Sequence, residues 1–88
     1  SNNLNLYILK IFACNLNFKI TDAELKEVFE DFGVVEKCSI VKDKETGKSK
    51  GFAFIEMSDG ARQAINGLND KEIFGRKIKV KEATERPA

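Results

Sequence analysis

The side chains best placed to do chemistry lie in residues 50–57, a stretch that alternates between two kinds of residue. If the stretch is a strand, one face carries small and aliphatic side chains, and the other carries Lys50, Phe52, Phe54 and Glu56. A half-buried strand normally turns its apolar side chains inward, so two phenylalanines on the polar face are anomalous. Aromatic rings beside an ammonium group can stack on flat partners while the cation attracts an anion.

Residues 10–16 repeat this anomaly. They predict a first strand and the turn that leaves it, with Lys10, Phe12 and Cys14 on the face opposite the aliphatic side chains. Phe12 is therefore another ring on a face that carries a lysine.

Residues 76–81 alternate strictly and predict the last strand. Its aliphatic residues, Ile78 and Val80, point inward. Its lysines point the other way: Lys77, Lys79 and Lys81. This strand therefore adds positive charge to the outer face of whatever sheet it joins.

Composition argues against catalysis and metal binding. The 88-residue chain has no histidine, which is the commonest general base and the commonest metal ligand. Cys14 and Cys38 form neither a disulfide framework nor a complete zinc site. We therefore predict no catalytic residues, no metal site and no cofactor.

The net charge of +1 conceals an asymmetry along the chain. Residues 22–36 hold six acidic side chains and one basic one, whereas residues 37–81 hold eleven basic and six acidic ones. The fold can therefore have an acidic side and a basic side that matter to a partner, or simply two solvated faces of opposite sign.

A clear helix signal follows the first strand. Thr21 is a good N-cap and Glu24 completes a capping box, which predicts a helix over residues 22–32 with Gly33 as a left-handed stop. Its apolar stripe, at helical spacing, consists of Leu25, Val28, Phe29 and Phe32.

The rest of the chain predicts a second strand over residues 35–41, a polar hairpin loop over 43–50 and a second, shorter helix. Either Ser58 or Asp59 is expected to cap that helix. Its apolar stripe consists of Ala61, Ala64, Ile65 and Leu68.

The order of elements is βαββαβ, which predicts an α+β, ferredoxin-like sandwich with a four-stranded antiparallel sheet of strand order 4-1-3-2. Two helices cover only one face of such a sheet. The first and third strands are central, so Phe12, Phe52 and Phe54 should cluster on the open face. Cys14 and Cys38 should lie on non-adjacent strands, and no disulfide is expected between them.

This pattern resembles the RNA recognition motif. Residues 50–57 are similar to the family's ribonucleoprotein octamer at every position except Met57, which alternation points into the core. Residues 11–16 resemble the companion hexamer on the first strand. The resemblance covers roughly residues 10–83, with Cys14 and Asp70 standing where glycine is common.

The resemblance implies single-stranded RNA binding without catalysis. It implies that Phe12 and Phe54 stack on bases and that Phe52 packs against sugars. It also implies phosphate or RNA contacts for the lysines around them, which are Lys10, Lys50, Lys79 and Lys81. Single-stranded DNA offers the same bases and phosphates and stays an alternative ligand.

Two other function classes occur on this fold. A protein-interaction domain of the same fold could use the open face or the N-terminal segment, although such a face has little use for the lysines. An acylphosphatase needs an arginine after the first strand, and a metallochaperone needs a C-x-x-C there. Residues 15–19 contain neither feature. We expect a monomer.

The predicted domain spans residues 10–83, between an N-terminal extension at 1–9 and a tail at 84–88. Residues 1–3 are consistent with a tag remnant. Residues 4–9 are too apolar for a free tail and should extend the first strand, cover part of the open face or pair with another copy. No signal peptide or membrane span is recognisable, which predicts an intracellular protein, cytoplasmic or nuclear.

Overall fold

Two helices pack on one face of a four-stranded antiparallel sheet in the structure, a computed structural model that describes residues 8–83. The elements in chain order are β1 (Leu9–Cys14), α1 (Asp22–Glu30), β2 (Val35–Lys42), β3 (Ser49–Met57), α2 (Ala61–Leu68), β4 (Glu72–Ile73), β5 (Arg76–Lys77) and β6 (Lys79–Glu82). The sheet order is β2-β3-β1-β6, so the predicted architecture and strand order are confirmed.

The core lies between the helices and the inner face of the sheet. Strand alternation buries most inward side chains of β1 and β3 completely, with Leu9 only partly buried, and α1 contributes Leu25 and Phe29 to the same cluster. Met57 is fully buried, as its predicted direction requires. Ile78 and Val80 also point inward as predicted.

The capping box of α1 is confirmed, because the Thr21 hydroxyl accepts from the Glu24 N–H and the Glu24 carboxylate accepts from the Thr21 N–H. The helix nevertheless ends at Glu30, two residues before the predicted boundary. The prediction of a left-handed stop at Gly33 was wrong, since its φ is not positive. This position has no room for a side chain, because a Cβ there would clash with the Asp59 carbonyl group.

The predicted cap of α2 was also wrong. Neither Ser58 nor Asp59 is the N-cap: Gly60 occupies that position with φ of 77°, and no side chain caps the helix. A Cβ on Gly60 would clash with the Phe32 carbonyl group. The backbones before α2 and after α1 therefore approach too closely for larger residues.

The predicted last strand is divided. Arg76 and Lys77 pair with Glu72 and Ile73 in a small hairpin that the sequence did not predict, and β6 begins only at Lys79. Ile78 separates the two because its backbone bonds with Asp70 and Lys71 instead of with β1.

Cys14 and Cys38 are both free, on strands that do not neighbour each other, as predicted. Most of the apolar segment at residues 4–9 lies outside the described residues, although Leu9 belongs to β1. Neither described helix has the length and apolar character needed to span a bilayer.

Candidate nucleic-acid interface

Three phenylalanine rings meet at the centre of the sheet face opposite the helices. Phe12 on β1 lies directly across from Phe54 on β3, and Phe52 lies across from Cys14. The ring centroids of Phe12 are 5.4 Å from Phe54 and 5.6 Å from Phe52, and those of Phe52 and Phe54 are 6.4 Å apart. We call this cluster of three rings the aromatic platform.

The platform is held by its own ring contacts as well as by the strands. Its centroid distances fall in the range of about 4.5–7 Å that aromatic pairs prefer, and the rings are tilted or edge-on. All three side chains are half-buried rather than fully exposed. The strands and the ring contacts therefore hold these flat apolar surfaces in place in the free protein.

Two of the predicted lysines lie over this platform. The Lys10 Nζ is 5.3 Å from the Phe54 ring centroid, and the Lys81 Nζ is 5.9 Å from the Phe12 centroid. Lys81 reaches Phe12 because the two residues are paired between the adjacent strands β6 and β1. Both distances permit cation–π attraction, which requires a separation of less than about 6 Å.

Lys50 lies where the regular strand pattern is interrupted. The β2–β3 register passes from Ile40 opposite Ala53 to Lys42 opposite Ser49, so β3 has extra residues there, and Gly51 has a φ of 83°. The alternation of burial nevertheless continues through this irregularity: Gly51 is buried, and the Lys50 side chain is exposed near the end of the sheet.

Lys79 is engaged elsewhere. Its Nζ donates to the carboxylate of Asp70 in the turn after α2, and this bond lowers the pKa of that carboxyl below its usual value. Asp70 has a positive φ of 68°, which is consistent with the glycine common at that position. The alternation of residues 76–81 places Lys79 on the outer face correctly but gives no sign of its pairing with Asp70.

A second feature that the sequence analysis missed ties the β4–β5 hairpin to the loop after β1. The Asn15 Nδ2 donates to the Lys77 carbonyl at 2.8 Å, and the Asn17 Nδ2 donates to the Phe74 carbonyl at 3.0 Å. Arg76 donates in turn to the backbone and side-chain oxygens of Asn15. The two asparagines and the Gly75-Arg76 turn were visible in the sequence, but nothing there connected them.

The β2–β3 loop is an ordered turn. The Asp43 carboxylate accepts from the Glu45 and Thr46 N–H groups, which lowers the pKa of that carboxyl, and the Asp43 N–H donates to the Lys48 carbonyl. The loop lysines therefore project from a defined turn.

The described residues provide little for metal or nucleophilic chemistry. Between residues 8 and 83, no group of three or more Cys, Asp or Glu side chains is arranged to hold a metal ion. Burial raises the pKa of Cys38 to about 11, so its thiol stays protonated at neutral pH.

The family model for the RNA recognition motif matches residues 11–79. The chain belongs to the RNA recognition motif family.

Relatives in this family carry RNA-binding names. The chain is 42% identical over 79 residues to glycine-rich RNA-binding protein 4, mitochondrial, of Arabidopsis thaliana, covering 88% of the chain and 58% of that protein. It is 40% identical over 80 residues to the putative RNA-binding protein RbpD of Nostoc sp., covering 89% of the chain and 85% of the relative. The chain thus spans little more than half of the Arabidopsis protein.

The fold comparison agrees. The crystal structure of RNA Binding Protein PG1 matches with a TM-score of 0.84 and 43% identity, covering 91% of this chain and 99% of that one.

Proposed function

We propose that this domain binds single-stranded RNA on its open sheet face. The observation that carries the proposal is the aromatic platform: three rings in mutual contact, with two lysine ammonium groups over them. Membership of the RNA recognition motif family and the RNA-binding names of relatives support the same function.

Phe12 and Phe54 are the proposed stacking residues. They lie side by side on the two central strands, so consecutive unstacked bases can each meet one ring. Phe52 packs against the sugars between them, as family membership implies. Each stacked base contributes about 1–3 kcal/mol, which makes the rings the main source of affinity.

The lysines provide the second part of the interaction. Lys10 and Lys81 flank the rings closely enough for a base on Phe12 or Phe54 to bring its phosphate near an ammonium group. Lys50 and Lys79 contribute phosphate contacts from the end of the sheet. Lys79 must first break or share its ion pair with Asp70. Because each phosphate contact releases counterions, affinity should fall with salt.

A single strand fits this face better than a duplex, whose bases are already stacked on one another. RNA and DNA share bases and phosphates, so discrimination depends on whether the protein contacts the 2′-hydroxyl. The proposed action is binding alone, because rings and ammonium groups hold a strand without attacking it.

The test is a titration of fluorescein-labelled single-stranded RNA against wild type and Phe54→Ala. The variant should bind about 5- to 150-fold more weakly, the equivalent of one lost stacking contact. Phe74→Ala is the matched control because Phe74 is 49% exposed and lies in the β4–β5 turn, off the platform. Matching single-stranded DNA tests the role of the 2′-hydroxyl.

Two outcomes would contradict the proposal. Equal affinity of Phe54→Ala and wild type would remove the stacking role. RNA affinity that ignores salt would instead favour a protein-interaction domain.

A further inference from the structure

Phe18 is a large apolar side chain that the platform does not use. It lies in the loop between β1 and α1, and its side chain is 70% exposed. No sequence pattern assigns Phe18 a role. An exposed phenylalanine by itself is ordinary, so its surroundings decide whether it can bind a partner.

The ring forms one wall of a groove of about 900 Å³ between the β1–α1 loop, the start of α1 and the β2–β3 loop. This volume falls within the roughly 300–1,000 Å³ typical of small-ligand sites. We call it the Phe18 groove; its walls include Phe18, Lys19, Ile20, Ala23, Lys42 and Lys48.

The charge of the groove favours an anionic occupant. Three lysines line it, against one acidic side chain, Asp22. The carboxylate of Asp22 already accepts the Ile40 N–H at 3.1 Å, which holds it against β2. An occupant with a flat apolar part and a negative charge would meet both an aromatic ring and an ammonium group.

The groove adjoins the platform through Gly51. A Cβ on Gly51 would lie 2.7 Å from the Phe18 ring, and the Leu16 N–H donates to the Gly51 carbonyl at 2.9 Å. Gly51 is next to Phe52, so Phe18 is one residue of β3 away from the platform. The absence of a side chain at Gly51 therefore permits both its positive φ and the close approach of the Phe18 ring.

We propose that the Phe18 groove binds a further nucleotide of the RNA strand that occupies the platform. The base of this nucleotide packs on Phe18, and its phosphate lies among Lys19, Lys42 and Lys48. The inference rests on the proposed function, since the platform supplies the strand. It extends the interface around the end of the sheet to the helix side.

The length of the RNA separates the groove from the platform. Two or three bases fill a sheet face of this family, so a random four-nucleotide pool mainly reports the platform and a random eight-nucleotide pool reaches further. Phe18→Ala should weaken binding of the labelled eight-nucleotide pool about 5- to 150-fold and leave binding of the four-nucleotide pool nearly unchanged. Phe74→Ala, which removes another exposed ring, should affect neither pool.

The remaining outcomes each have a definite meaning. If Phe18→Ala binds both pools as wild type does while Phe54→Ala is weakened, the groove proposal is overturned and the platform stands. If Phe18→Ala weakens both pools equally, the ring acts on the platform through Gly51 and the groove proposal is again overturned. If Phe54→Ala is also unaffected, the proposed function itself fails.

Lys48→Gln gives a second test that leaves the ring in place. For the eight-nucleotide pool, the slope of log affinity against log salt should become shallower by about 0.7, the value for one lost phosphate contact on a single strand. Lys26→Gln is the matched control, because Lys26 lies on α1 and pairs with Glu30. Equal slopes for the two variants would place the phosphate elsewhere and contradict the proposal.

Discussion

The two faces of β1 and β3 share one backbone, but one face packs against the helices and the other is open to a partner. On the helix side, Ala13, Ala53 and Ile55 are completely buried. On the other side, the neighbouring residues Phe12, Phe52 and Phe54 are only half-buried and touch one another. A shift of one residue along either strand therefore changes a side chain that holds the fold into one that can hold a ligand.

This difference is one of partners, not of residue type. Phe29 on α1 is fully buried in the core, whereas the same side chain at position 54 keeps part of its surface in water. The helices saturate the inner face with apolar contacts. The outer face has only its own rings and lysines, so its apolar surface remains available for a partner.

The largest expected effect comes from the inner face. Ile55→Ala should lower the free energy of unfolding by about 2–5 kcal/mol, because it leaves a cavity in a fully packed core. Phe54→Ala, one residue away, should cost less, because its ring is only half-buried; its contacts with the Phe12 and Phe52 rings each contribute about 0.5–1.5 kcal/mol beyond the buried area. Urea unfolding followed by circular dichroism measures both changes.

Similar losses of stability for Ile55→Ala and Phe54→Ala would contradict the difference between the inner and outer faces. The platform rings would then belong to the core, and the reduced RNA binding of Phe54→Ala would no longer report a contact with the ligand.

A smaller effect is expected from the charge on the outer face. Lys81→Gln should leave the unfolding free energy within about 0.5 kcal/mol of wild type, because the side chain is exposed. For RNA it should make the slope of log affinity against log salt shallower by about 0.7. Lys26→Gln on α1 should keep the wild-type slope. If Lys81→Gln also keeps that slope, Lys81 makes no phosphate contact in the interface.

The smallest effect requires no substitution. Cys14 lies on the outer face opposite Phe52, and Cys38 packs against the core opposite Ile55. Bound RNA should slow iodoacetamide labelling of Cys14 and leave that of Cys38 unchanged, as followed by peptide mass spectrometry. Since the pKa of Cys38 is raised to about 11 and the thiolate is the nucleophile, its labelling should accelerate with pH up to about that value. Equal protection of both thiols would indicate a general tightening of the domain.

Local sequence patterns predicted most of the regular secondary structure. Alternation in residues 50–57 assigned Phe52, Phe54 and Met57 to the correct faces, because strand geometry has a period of two wherever pairing is unbroken. Thr21 and Glu24 predicted the start of α1, because a capping box joins residues only three positions apart.

The errors arose where distant backbone segments meet. Gly33 was expected to be a left-handed stop, and Ser58 or Asp59 was expected to cap α2. Gly33 and Gly60 instead lie where the segments after α1 and before α2 approach too closely for a Cβ. These contacts are not encoded in any short window of sequence.

The sequence by itself determined the order of the two helices and the four strands of the main sheet, the inward residues and the three rings that make the platform. Each of these follows from a local period or from the chemistry of a single side chain. Only the tertiary structure decided that Lys10 and Lys81 lie over the rings, that Lys79 pairs with Asp70 and that Phe18 reaches Gly51. Those neighbours are set by strand pairing and loop packing between residues far apart in the chain, which fix positions that no residue specifies alone.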